Sequence, residues 1–127
     1  MPTLEVYLPD GHWPARKAQL IAALTKATVT AIGAPAESVR ILLSELPSHD
    51  FGLGGVSNAN VRAPLLTIVA ILVAGRTPAQ KEALIAALSK TGADLLDTPL
   101  DAARVMIKDI PNTDFGIGGQ TAKSLGR

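Results

Sequence analysis

Few side chains in this 127-residue sequence could carry chemistry. The two histidines, His12 and His49, stand far apart, and neither sits in an HxxxH or similar ligand spacing. A metal centre is therefore not expected, and His49 reads as a solvated loop residue. There is no cysteine, and no serine lies in a GxSxG turn. The glycine runs FGLGG (51–55) and FGIGG (115–119) lack the Lys-Ser/Thr pair of a phosphate loop and open no long helix. They read as tight hairpins whose glycines take positive φ. What remains is the Met-Pro start. Initiator methionine is commonly removed before a small residue such as proline, which would leave Pro2 with a free secondary amine. An α-amino group titrates near about 8, and burial or neighbouring arginines lower that value. Such a nitrogen can act as a general base near neutral pH.

The elements that must position Pro2 come from an internal duplication. SVRILLSE (38–45) matches AARVMIKD (102–109), and DFGLGG (50–55) matches DFGIGG (114–119). Arg40 and Arg104, Phe51 and Phe115, and Gly11 and Gly75 all lie 64 positions apart. Each copy reads strand, helix, strand. TLEVYL (3–8) alternates, with Leu4, Val6 and Leu8 on one face and Thr3, Glu5 and Tyr7 on the other. TIVAILVA (67–74) is apolar on both faces. Helices are predicted after Pro14 and Pro78, proline being tolerated at a first helical position. Thr77 and Gln80 can form a capping box, whereas Trp13 is a poor cap. Leu20, Ile21 and Leu24, and again Leu84, Ile85 and Leu88, form helical stripes. GAP (33–35) and DTP (97–99) stop the helices. In the next strand Val39, Ile41 and Leu43 alternate with Arg40, Leu42 and Ser44.

The fold class is therefore α/β. Tandem β-α-β units, spanning about 2–62 and 66–127, form one domain with a four-stranded mixed sheet. Right-handed crossovers related by a two-fold axis put both helices on the same face. The opposite face carries either Val69, Ile71 and Val73 or Ile68, Ala70 and Leu72, apolar in both cases. An exposed patch of that kind calls for a partner, so a homo-oligomer is expected, with Arg40 and Arg104 directed towards it.

Composition excludes other classes. Twelve basic and eleven acidic residues nearly cancel, so no footprint for nucleic acid is visible. Aromatic residues are 3% of the chain, too few for base-stacking platforms. The apolar run LLTIVAILVAG is too short to span a membrane. No basic segment followed by an apolar core opens the chain, so a cytoplasmic location is the expectation.

The Pro2 start together with GRTPAQKEALIAALS, APAESVRI, DTPLDAARVMI and the two DFGxGG segments resembles the 4-oxalocrotonate tautomerase family, twice over nearly the whole chain. The resemblance implies a fused tandem form with an amino-terminal proline as acid/base and no cofactor. Because short-subunit members form hexamers, it implies a homotrimer of fused chains. Pro2 matches the catalytic proline. Its counterpart Leu66 is internal to the chain and could offer no amine, so one site per chain is expected. The arginine after the first turn matches Arg76, where the first copy has His12 and Trp13 instead. The aromatic of the FGxGG segment matches Phe115. The strand-two arginine matches both Arg40 and Arg104, and neither is singled out. Phe115, Ile117, Leu8 and Leu72 are expected to form an apolar wall.

Paired arginines suit a 2-oxo or 2-hydroxydienoic acid, since guanidinium binds carboxylate through two parallel hydrogen bonds. The implied reaction is enol–keto tautomerisation. Relatives that hydrate or dehalogenate carry a glutamate where this chain has Ile117, which disfavours those reactions. A decarboxylase on the same scaffold and a non-catalytic oligomeric binding module are the remaining readings.

Overall fold

The computed structural model describes residues 1–59 and 61–127. In chain order the main elements are β1 (Thr3–Pro9), α1 (Pro14–Ile32), β2 (Arg40–Leu46), the short strands β3 (Gly52–Leu53) and β4 (Val56–Ser57), β5 (Leu66–Val73), α2 (Pro78–Leu95), β6 (Ala103–Ile110), and the short strands β7 (Gly116–Ile117) and β8 (Gln120–Thr121). The sheet order is β2-β1-β5-β6. Each crossover pair, β1 with β2 and β5 with β6, is parallel, and the copies join antiparallel through β1 and β5.

The register locates the internal two-fold axis. Glu5 faces Val69 across the β1–β5 ladder, and these two residues are also 64 positions apart. Each is therefore the other's counterpart, and the axis passes through their pair. Ion pairs obey the same relation: Lys17 holds Glu45 and Lys81 holds Asp109, each tying a helix to its own crossover strand.

Alternation decides which sheet face meets the helices. Leu4, Val6 and Leu8 of β1 and Leu66, Ile68, Ala70 and Leu72 of β5 have no exposed surface. They pack with Leu20 and Leu24 of α1 and Leu84 and Leu88 of α2. Burying each large aliphatic side chain contributes about 1.5–3 kcal/mol. Ile21 and Ile85, expected on the helical stripes, turn partly outward at 40% and 39% exposure. The uncovered face carries Thr67, Val69, Ile71 and Val73 with half-exposed Leu42 and Met106. The first of the two apolar sets left open by the sequence is thus the bare one.

The helix ends follow local chemistry. At α2 the Thr77 hydroxyl accepts from the Gln80 N–H at 3.1 Å, and the Thr77 N–H donates to Gln80 Oε1 at 2.9 Å. At α1 Trp13 makes no side-chain cap bond and is 80% exposed. Gly33 ends α1 in the left-handed region, at φ 69°. Its counterpart Asp97 adopts φ 52° without glycine's freedom. Both glycine runs form the expected hairpins: Gly54, Gly55, Gly118 and Gly119 all have positive φ between paired short strands.

Candidate active site

β1 starts at Thr3, so residues 1 and 2 lie at the end of the central strand, where three segments meet. The first is the turn before β2, held by the Arg40 N–H donating to the Pro2 carbonyl at 2.9 Å. The second is the turn after β5, which carries Arg76 at the entry to α2. The third is the β7–β8 hairpin with the residues that follow it.

Two adjoining cavities open around this strand end. One, of about 670 Å³, is lined by Met1, Pro35, Glu37, Ser38, Val73, Ala74, Arg76 and Arg127. The other, of about 650 Å³, has Met1, Glu37, Ser38 and Arg127 in common with it and adds Thr3, Arg40, Leu42, Phe115, Gly116, Ile117 and Gly118. Arg40, Arg76, Phe115 and Ile117 thus surround the amino-terminal segment within one chain. Arg76 and Phe115 come from the second copy, as the family resemblance implies, and the antiparallel pairing of β1 with β5 sets the end of β5 beside the start of β1.

The electrostatics favour a neutral amine. Burial first, then the charges of Arg76 and Arg127, hold the amino group below its ordinary value near 8. In the structure that group belongs to Met1, and Pro2 behind it is fully buried. Loss of Met1 would move the amine to Pro2 at the same strand end, where neighbouring arginines disfavour its protonated form.

Other expected residues lie elsewhere. Leu8 and Leu72 have no exposed surface and sit beneath the helices. They belong to the core rather than to the apolar wall, because they share the parity of Leu4 and Ile68. Arg104 is on β6, at the sheet edge opposite Arg40, and its guanidinium donates to the carbonyls of Asp101 at 2.7 Å and Ala103 at 3.0 Å. It is outside both cavities of its own chain.

His12, the counterpart of Arg76, is tied to the first copy's framework. Its Nδ1 is 2.9 Å from the Pro9 carbonyl, and its backbone N–H donates to Glu45 Oε2 at 3.2 Å. The counterpart cavity, about 410 Å³, is lined by Pro9, Asp10, Leu46, Phe51, Arg62, Ala63, Pro64 and Leu65 among others, so continuous chain fills the place of an amine.

Sequence reasoning missed Glu37, Ser38 and Arg127, yet a signal for Arg127 existed. Ala63 lies three positions before the strand beginning at Leu66. Two-fold symmetry then places the counterpart of Ala63, which is Arg127, beside the start of β1.

Comparison with known proteins fits this arrangement. A family model described as Tautomerase enzyme matches residues 2–60 and again 64–124. The 2-hydroxymuconate tautomerase of Stutzerimonas stutzeri is 45% identical over 56 residues, covering 44% of this chain and 89% of that protein. A fused 4-OT solved as an asymmetric trimer is 68% identical with a TM-score of 0.92, covering 98% of this chain and 99% of that one. Pt0534, solved in a form inactivated by 2-oxo-3-pentynoate, is 38% identical with a TM-score of 0.91 over the same shares.

Proposed function

Because this chain belongs to the tautomerase family and is an isomerase, we propose that it interconverts the enol and keto forms of a 2-hydroxydienoate or 2-oxo acid, with Pro2 as the acid/base after loss of Met1. The observation that carries this reading is the convergence of Arg40, Arg76 and Phe115 on the end of β1, where the amine that Met1 now carries is held below its ordinary value. The neutral proline nitrogen takes the proton of the 2-hydroxyl group. Electrons shift along the diene as the C2 carbonyl forms, and the nitrogen then returns the proton to carbon. Negative charge builds on the substrate oxygens between the two steps. Arg76 and Arg40, each lining one of the two adjoining cavities, stabilise it in a setting less polar than water. Phe115 and Ile117 supply apolar wall, and Ile117 offers no carboxylate to activate water. Inactivation of Pt0534 by a 2-oxo acid supports the substrate class.

Three chains are proposed to assemble through the bare sheet face, in line with the trimeric state of the fused 4-OT relative. The test of the central claim combines intact mass with kinetics on 2-hydroxymuconate. The mass should lack one methionine, and Pro2→Ala should fold normally but lose most turnover. Full turnover by Pro2→Ala, with Met1 removed, removes Pro2 from the mechanism.

A further inference from the structure

Four residues line both cavities: Met1, Glu37, Ser38 and Arg127. Arg127 brings the only positive side chain among them. Its main chain is held at two points, the N–H donating to the Ala122 carbonyl at 2.8 Å and the α-carboxylate oxygen of this last residue accepting from Asn112 Nδ2 at 3.0 Å. Its guanidinium nitrogen is 3.2 Å from Met1 Sδ. A thioether is a weak acceptor, whereas a guanidinium carries five donors. Among the described residues no carboxylate pairs with Arg127 within ion-pair distance. A guanidinium anchored through its main chain, lining two adjoining cavities and engaged among the described residues by the Met1 sulfur, is a ready anion ligand. Its sulfur partner is the residue whose removal the proposed chemistry requires.

We propose that Arg127 is a further substrate-binding residue, whose guanidinium takes a carboxylate oxygen of the acid lying across the two cavities once Met1 has gone. This rests on the reading of Pro2 as the base. The charged groups of the residues lining the two cavities are then Glu37 before β2, Arg40 on β2, Arg76 before α2, and the guanidinium and α-carboxylate of Arg127 after β8, the carboxylate turned to Asn112. Arg127 adds positive charge near the nitrogen as well as a ligand for the substrate, and its charge is among the causes that lower the amine while Met1 carries it. The arginine is exposed, so its contact with substrate is partly screened.

The test is steady-state kinetics of Arg127→Ala, Arg127→Lys and Pro2→Ala on 2-hydroxymuconate across pH. For Arg127→Ala the expected result is a rise in KM of about five- to tenfold, with kcat within about twofold. The acidic limb of the kcat/KM profile should move to higher pH, because a positive neighbour is lost. Arg127→Lys should restore the limb and only part of the KM, since ammonium keeps the charge but not the planar fork. An unchanged KM and limb in Arg127→Ala overturns the inference. So does a fall in melting temperature and kcat with neither quantity moved, which marks a structural role. Pro2→Ala separates the two levels: its full activity defeats the underlying reading, whereas its inactivity beside a wild-type-like Arg127→Ala defeats only the role of Arg127.

Discussion

At the residue scale, Arg76 and His12 occupy counterpart turns but face different neighbours. Arg76 lines a cavity with Met1 and lowers the amine there, while His12 is bonded to Pro9 and Glu45 beside continuous backbone. Arg76→Ala should therefore lower kcat/KM steeply. Truncating one partner of a desolvated charged contact costs roughly 2–5 kcal/mol, on the order of thirty- to several-thousand-fold. His12→Ala should leave kinetics near wild type, and equal damage from both variants would refute the assignment of one site per chain. The pH dependence has a definite sign. The base must be neutral, so kcat/KM rises as pH climbs through the amine's own value, which neighbouring arginines lower. Stability linked to the amine moves the same way: between its folded and unfolded values the unfolded chain binds more protons, so stability rises with pH. That contribution is complete above the unfolded value and lost as pH falls through the folded one. The meeting of Arg76 and Phe115 at the amino-terminal end of β1 was legible in the sequence because motifs carry them. Leu8 and Leu72 were misplaced because an apolar residue on a strand reveals its face only when the strand's parity against the helices is known.

At the element scale, the second copy shows how a strand and a helix adjust to losing the amino-terminal proline. Leu66 stands where the first copy has Pro2, and Gly92 of α2 stands where it has Thr28. A Cβ built on Gly92 would come within 2.8 Å of Leu66 Cδ2. Leu66 thus fills space that a side chain at position 92 would need, and the glycine is accepted despite costing a helix interior about 1 kcal/mol relative to alanine. Gly92→Ala should cost stability in the wild-type background, since overpacking a filled core typically costs about 1–3 kcal/mol, more than the helix gain. In a Leu66→Val background the same change should become neutral or stabilising. Denaturant unfolding of the four proteins measures the coupling, and additive effects would break the link between these positions. The composition of α2 alone could not reveal this: an isolated glycine in a helical pattern looks like a local weakness until its neighbour across the core is known. Capping was the opposite case, since Thr77, Gln80 and the proline between them define a helix start without tertiary information.

At the scale of the whole molecule, the bare face and the stranded Arg104 point to the same requirement. Val69, Ile71, Leu42 and Met106 lie on the sheet face that no helix covers, and Arg104 on that face is outside its own chain's cavities. Arg40 already lines the cavity beside Met1, so an Arg104 that serves catalysis can do so only at the site of a neighbouring chain. The apolarity of both faces of β5 made a bare apolar face legible in the sequence, but the proposed division of labour between the two arginines depends on which sheet edge each strand occupies. Subunit mixing tests that division. Pro2→Ala trimers lack the base, and Arg104→Ala trimers lack the proposed borrowed cation, so both should be weakly active. When the two are unfolded together and reassembled, some sites will combine an intact Pro2 from one chain with an intact Arg104 from another. Those sites should recover activity well above the average of the parents, while Pro2→Ala mixed with Arg40→Ala should recover little if Arg40 acts within its own chain. Native mass spectrometry of the same samples should show trimers in every case. Ile71→Glu, which buries a charge in the shared face, should shift the mass to monomers and lower activity. Reassembled trimers with no gain over their parents would remove Arg104 from the site, and a stable wild-type monomer at micromolar concentration would remove the interface itself.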